Sequence, residues 1–240
     1  MDPSAPLTSE VITRGLWANF QANKPVKMIN MFQGVPVSHD ATLIIVSREY
    51  AAFDIQGVQA ACIALEKRVY LQSEFLPVVV RAQSVSVDVP HGEVILNRFT
   101  PSGLDFTRRM HLRVQPKDSV RVHIHTPLAT IPGSLADLSV TGLGVYTFGA
   151  YIANQIGLNR YMDATLEIFL PLVEQKLELK GKVLNITQEK FTSLNRCGIE
   201  IVVDPAAEAI LQEFIQKRKD QIMQELEQTY LSMCAKAKPA

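Results

Sequence analysis

Two short segments concentrate the side chains best suited to binding chemistry. Thr107-Arg108-Arg109-Met110-His111-Leu112-Arg113 reads R-R-x-x-x-R, and Asp137-Leu138-Ser139-Val140-Thr141-Gly142 reads D-x-S-x-x-G. Arginine presents a planar fork of donors that grips phosphate bidentately and also stacks on a flat ring. The N7 and O6 acceptors of guanine match the same fork. Asp137 and Ser139, two positions apart, share one face of an extended strand. A carboxylate there can accept from the N1–H and N2–H₂ edge of guanine, and a hydroxyl can donate or accept beside it. Gly142 lets the backbone turn, or lets a ligand approach closely. Each string alone has a plainer reading: arginines as a solvated surface, and D-x-S-x-x-G as an Asx turn entering a strand. In this order, both at the margins of strands, they describe a site for a ligand that carries phosphates and guanine bases.

The charge around this site is local. The chain has 240 residues with 24 basic and 24 acidic side chains, so no global field favours a nucleic-acid polymer or a membrane. Between Arg108 and Arg121, however, Arg108, Arg109, Arg113, Lys117 and Arg121 face the single acid Asp118. That imbalance suits a small anion. An RNA-binding barrel would interleave aromatic residues with its cations, and this stretch has none.

Catalytic candidates are few. His123 and His125 share a strand face but lack a nearby Cys, Asp or Glu in sequence to complete a metal site, and they read as surface histidines. Ser38-His39-Asp40 has the letters of a triad, but adjacency in a chain does not supply triad geometry, so a turn is expected there. No G-x-S-x-G, P-loop or G-x-G-x-x-G occurs. Trp17 sits on a helix and reads as core. The expectation is a non-enzyme without metal or cofactor. Cys62, Cys197 and Cys234 have no metal-ligand spacing and read as reduced thiols. With no signal-peptide pattern at the start and no apolar run of ~18 residues, a cytoplasmic protein is expected.

The elements that position the motifs follow from hydrophobic pattern. A helix is expected over Ser9 to Gln21, with Ile12, Leu16 and Phe20 on one face, Thr8 or Ser9 as cap, and Lys24-Pro25 as stop. Strand-like runs follow at Lys27–Phe32, Thr42–Ser47, Ala51–Ile55, Val69–Gln72, Val78–Val89 and Gly92–Asn97. Phe99 to Asp105 has the composition of a linker and places a domain boundary directly before the arginines. A second set of strands begins near Met110 and continues through Val120–His125, Leu143–Phe148, Ala164–Leu170, Lys176–Thr187 and Gly198–Val203. Short strands divided by Gly, Pro and Asn argue for β-barrels or sandwiches. Asp204 as N-cap and Pro205 at the first position open a final helix reaching about Met233, roughly 43 Å at 1.5 Å per residue. Its stripe is Ile210, Leu211, Phe214 and Ile215, then Ile222, Leu226 and Tyr230. A helix of that length outruns a small barrel, so its second half needs a partner, a neighbouring domain or solvent, and a homodimer contact is the preferred reading over a solvated projection.

The arginine motif followed by D-x-S-x-x-G resembles the signature of PilZ domains, six-stranded β-barrels that bind the bacterial second messenger cyclic di-GMP. Cys197-Gly198-Ile199-Glu200-Ile201 is similar to their last barrel strand, and the region in front looks like the N-terminal barrel of YcgR-like flagellar-brake proteins. Thr141 stands where many members carry a second glycine. The resemblance implies a mainly β protein of two β-barrel domains, a split-barrel-like N-terminal domain over 1–104 and a PilZ barrel with C-terminal helix over 105–240. It implies Arg109 and Arg113 as phosphate and guanine ligands, Asp137 and Ser139 as readers of a guanine edge, and Gly142 as the point of close approach. The additional Arg108 goes, in resembling proteins, with an intercalated pair of cyclic di-GMP molecules. The implied function is a receptor that changes its interdomain arrangement and acts on the flagellar motor or its stator at the basal body. Control of polysaccharide, adhesion or virulence is the alternative. A flavin-binding split-barrel enzyme is the alternative from another class.

Overall fold

The computed structural model describes residues 8–103, 111–148, 158, 160–189 and 192–237. The chain divides into two compact units, Met1–Arg109 together with Ile222–Ala240, and Met110–Gln221. The first unit opens with helix α1 (Ser9–Gln21), whose buried residues are Ile12, Gly15, Leu16 and Asn19. Thr8 occupies its N-cap position without a side-chain cap hydrogen bond. Phe20, expected on the buried face, and Trp17, expected in the core, are both exposed and pack edge-on against each other. Six strands then close a barrel in the order β1-β2-β3-β6-β5-β4. They are β1 (Val26–Phe32), β2 (Val35–Val46), β3 (Tyr50–Asp54), β4 (Arg68–Gln72), β5 (Val80–Asp88) and β6 (Glu93–Pro101).

Local chemistry explains the closure. Gln33 and Gly34 both take positive φ in the two-residue turn between β1 and β2, the conformation whose twist matches a tight hairpin. Register shifts in the β2–β3 and β5–β6 pairs let the sheet coil back onto itself. Helix α2 (Gly57–Glu66), which sequence pattern did not separate from its neighbours, carries the chain from β3 to β4 and ends on Lys67 in the left-handed conformation. Ser38-His39-Asp40 lies inside β2 rather than in a turn, paired with β1 from Ile29 to Lys27. There His39 Nδ1 lies 3.2 Å from Gln59 Oε1, and Gln59 Nε2 donates to Asn30 at 2.6 Å, tying strand to helix. Phe99-Thr100-Pro101, expected in a linker, extends β6; Leu104 and Asp105 lie outside the described residues.

The second unit is another closed barrel, in the order β10-β11-β12-β9-β8-β7. Its strands are β7 (Arg121–His125), β8 (Thr130–Ser139), β9 (Gly142–Phe148), β10 (Asp163–Leu170), β11 (Gln175–Gln188) and β12 (Leu194–Val202). Alternation along the strands sends Val122, Ile124, Leu166, Ile168, Leu179, Val183 and Ile199 into its core, joined by Leu138 and Val145 from strands buried on both faces over part of their length. The strand expected near Met110 is replaced, over the described residues 111–120, by irregular chain with one bridge, Val114 to Leu138. β8 was not separable by pattern because Pro132, Gly133 and Ser134 interrupt it, yet all three pair with β7.

Helix α3 (Pro205–Lys236) begins where capping chemistry places it: Asp204 Oδ1 accepts from the Ala207 N–H at 2.8 Å. Leu211, Phe214 and Ile215 are buried in its first half. Arg218 is buried too, and its Nε donates to the Gln115 carbonyl at 2.8 Å. From Ile222 onward the helix belongs to the first unit, where Leu226 is part of the core and Met223, Tyr230, Met233 and Cys234 pack against it.

Candidate ligand-binding site

The β8–β9–β12–β11 face of the second barrel brings the second motif together with residues distant in sequence. Asp137 pairs with Gly144, Gly144 with Gly198, and Gly198 with Asn185, one register row across four strands. Two glycines in the middle of that row leave its centre without side chains. A Cβ on Gly144 would lie 2.9 Å from Arg196 Nη2 and 2.9 Å from Asp137 Oδ2. The space is therefore filled by an ion pair: Arg196, reaching from β12, hydrogen-bonds through Nη2 to Asp137 Oδ2 over the bare backbone of β9.

Asp137 is poised between two guanidinium groups. Its second oxygen, Oδ1, is buried and accepts no hydrogen bond among the described residues. Arg113 Nη1 lies 3.8 Å from it, close enough for charge attraction and too far for a hydrogen bond. Arg113 is held there by the neighbouring bridge, in which the Val114 N–H donates to the Leu138 carbonyl at 2.9 Å and the Leu138 N–H returns the bond at 2.9 Å. Burial acts most strongly on Arg196 and pulls its pKa down. The hydrogen bond and charge of Asp137, with Tyr146 and Glu189, outweigh it and leave the guanidinium above its ordinary value. Arg196 thus stays a fixed cation at any working pH.

Ser139 and Gly142 take roles more specific than the sequence suggested. Ser139 is buried, and its hydroxyl donates to the Gly142 carbonyl at 2.9 Å across the β8–β9 hairpin. Its proton is committed, so toward a ligand it can only accept. Gly142 does not use positive φ. It is required by packing, since a Cβ there would stand 2.8 Å from the Ile199 carbonyl oxygen of β12.

A cavity of about 160 Å³ opens beside the pair, walled by Arg113, Gly142, Gly144, Asn185, Arg196 and Glu200 among others. A volume below the usual ~300–1,000 Å³ of small-molecule pockets accommodates one ring system rather than a whole dinucleotide. Of the residues singled out in sequence, Arg113 and Gly142 line the cavity, and Asp137 and Ser139 adjoin it through Arg196 and the hairpin. Arg108 and Arg109 lie outside the described residues. Arg196, Gly144 and Asn185 were missed. The outward alternation of Arg196 and Gly198 was readable, but only strand register shows that Arg196 meets Asp137.

His123 and His125, on another face of the barrel, flank Glu167, with ring nitrogens 3.9 and 4.0 Å from its carboxylate. Lys176 Nζ holds the same carboxylate at 2.9 Å. Among the described residues no group of His, Cys, Asp and Glu has the arrangement to hold a metal, and no helix is long and apolar enough to cross a membrane.

Residues 107–217, which span both motifs and the second barrel, match the PilZ domain family. The chain is similar to that family over this region. Its two closed six-stranded barrels, short N-terminal helix and long C-terminal helix give it a mainly β, two-barrel architecture. Similar solved structures include YcgR in complex with c-di-GMP from Escherichia coli, 16% identical, covering 93% of this chain and 95% of that one, with a TM-score of 0.45. The Bacillus subtilis inhibitor of motility (MotI/DgrA) is 13% identical over 83% of this chain and 97% of its own, with a TM-score of 0.42. The K. pneumonia MrkH–c-di-GMP complex is 12% identical over 92% and 96%, with a TM-score of 0.43. No curated protein matches the chain. Within the matched region, the D-x-S-x-x-G string is the β8–β9 hairpin, and Arg196-Cys197-Gly198 lies in the strand that crosses beside it.

Proposed function

We propose that this protein is a receptor for cyclic di-GMP, a binding effector and not a catalyst, whose PilZ domain occupies 105–240 and whose N-terminal barrel domain occupies 1–104. The observation that carries the reading is Asp137 Oδ1, a buried carboxylate oxygen that accepts no hydrogen bond among the described residues and adjoins a cavity of ring size. Such an oxygen is costly to leave unpaired, and the N1–H and N2–H₂ edge of guanine supplies the missing donors. Ser139 accepts beside it. Arg113, already 3.8 Å from Asp137 and lining the cavity, turns to phosphate or to the guanine N7/O6 edge together with Arg109. Gly142 keeps the hairpin close against β12. Arg108 adds a third cation and favours a second, intercalated ligand. The E. coli YcgR and K. pneumonia MrkH structures are described as complexes with c-di-GMP, which agrees with this assignment.

Calorimetric titration with cyclic di-GMP tests the reading: saturable heat is expected, with two ligands per chain falling toward one in Arg108→Ala. An absence of heat with folded protein at high micromolar concentration refutes it. Occupancy is transmitted as a change in interdomain arrangement, which requires the ligand to bind one arrangement better than the other. Scattering curves superimposable with and without saturating ligand would overturn that step. The output we assign is flagellar motility through a motor or stator partner. One similar structure is named an inhibitor of motility and another a transcription regulatory factor, so polysaccharide, adhesion or virulence control is the competing output. Unchanged swimming in a deletion strain carrying raised cyclic di-GMP would favour the competitor.

A further inference from the structure

We propose that Arg196 is the positioning and selectivity residue of this site: it acts as the resident counter-ion of Asp137, freeing Arg113 for the ligand and aiming Asp137 Oδ1 at the guanine 2-amino edge. The inference rests on the cyclic di-GMP reading above and extends it to a residue outside both motifs.

The argument starts from charge balance. Asp137 is nearly buried, and a carboxylate in that position needs a cation. Among the described residues two are within reach. Arg196 takes Oδ2 by a hydrogen bond, while Arg113 stays 3.8 Å from Oδ1. Were Arg113 the sole partner, it would close on Asp137 as a two-pronged pair and leave both groups unable to meet a ligand. With Oδ2 already engaged, neither requirement falls on Arg113. The carboxylate keeps its cation, and Oδ1 is left to be satisfied.

Geometry then sets direction. The Arg196 guanidinium lies over Gly144, where any side chain would strike both partners at 2.9 Å. Arg196 comes from β12 and Asp137 from β8, so the pair bridges two strands across β9 and fixes the carboxylate plane. A carboxylate fixed in this way presents one lone-pair direction to the ligand. Hypoxanthine keeps the O6, N7 and N1–H of guanine but lacks its 2-amino group. Discrimination between the two bases therefore reports the aim of Asp137 and is blind to contacts on the O6/N7 edge or the phosphates.

The test measures affinity for cyclic di-GMP and for its analogue with hypoxanthine in place of guanine, using full-length wild type, Arg196→Ala and Arg196→Lys. The wild type is expected to prefer the guanine ligand. Arg196→Ala is expected to bind cyclic di-GMP about ten- to a hundredfold more weakly, the equivalent of a charged hydrogen bond. Its preference over the hypoxanthine ligand should collapse, and Arg196→Lys should restore part of that preference. Thermal melting checks that each variant is folded. Equal weakening toward both ligands means that Arg196 contributes only general structure or a direct O6/N7 or phosphate contact, and overturns the inference. Wild-type affinity and preference in a folded Arg196→Ala overturn it as well, and leave the receptor reading intact. Wild-type protein that binds neither ligand overturns the receptor reading itself and the inference with it.

Discussion

Substituting Gly144 by alanine perturbs the site at its narrowest point. The new methyl would sit 2.9 Å from Asp137 Oδ2 and 2.9 Å from Arg196 Nη2, where ordinary contact needs about 3.5 Å or more. Both neighbours are side-chain ends, so the fold can yield by parting them. Relief therefore costs the ion pair rather than the barrel. A charge-assisted hydrogen bond of this kind contributes about 1.5–3 kcal/mol. The lower half of that range applies, because the Arg196 side chain is 35% exposed although that of Asp137 is only 11% exposed. Replacing glycine by alanine within a strand returns roughly 0.5–1 kcal/mol of backbone entropy. The balance is a net loss of about 1 kcal/mol, read by urea denaturation as a lower midpoint with an unchanged slope. Affinity for cyclic di-GMP should fall about tenfold or more, since the freed carboxylate no longer has a fixed direction. A Gly144→Ala protein at least as stable as wild type, with undiminished affinity, would show that the pair over β9 does not organise this site.

Two further perturbations address parts of the molecule away from the site. Leu226→Ala should destabilise the first unit by about 2–5 kcal/mol, because a fully buried core leucine is lost from the far half of α3. Trp17, the single tryptophan, lies on α1 of that unit, so its fluorescence during urea unfolding is the readout, and an unshifted transition would contradict the placement of the helix tail. Glu167 titrates below the ordinary carboxylate range, first through its hydrogen bond from Lys176, with desolvation next and opposing, and then through the charges of Lys176, His123 and His125. A folded-state pKa depressed in this way gives stabilisation that is complete above the unfolded value and is lost as pH falls through the folded one. Lys176→Gln should move the Glu167 titration upward in a carboxylate NMR experiment; an unmoved curve would assign the shift to the histidines.

Legibility differed between local and long-range features. α1 was readable to its ends from apolar spacing, and α3 to its start from a capping aspartate, because both signals lie within a few residues. Most strands were readable from short apolar runs, though β2 was shortened because Ser38-His39-Asp40 looks like a turn when its partner strand is unknown. α2 was hidden by composition: Gly57 to Glu66 is apolar on nearly every side and has little amphipathic contrast. β8 was hidden by its own breakers, which the barrel tolerates because β7 pairs with them directly. Phe20 illustrates a different failure. Periodicity placed it on the buried face, whereas Gly15 and Asn19 take that side, Gly15 because the Phe75 carbonyl oxygen would stand 2.6 Å from a Cβ there.

The site shows the same division more sharply. The D-x-S-x-x-G string is local and was readable as chemistry, but the reasons for its letters were not. Gly142 is present because β12 runs against it, and the Ser139 proton is spent on the hairpin itself. Both facts depend on which strand comes alongside. Arg196 depends on it entirely. Its distance from Asp137 in sequence is irrelevant, because β9 lies between them and carries glycine at the one position where the two side chains must cross. A search for fixed spacing could not have joined them, since the length of chain between β8 and β12 does not affect the meeting. What joins them is register, and register is set by the apolar faces of the strands: Leu138, Leu143, Ile199 and Val183 form the inward row next to the Asp137–Gly144–Gly198–Asn185 row. The barrel core therefore specifies the polar pair on its outer face. A one-residue slip of β12 would bury Arg196 and turn Cys197 outward, and the cost of that exchange keeps the counter-ion opposite its carboxylate.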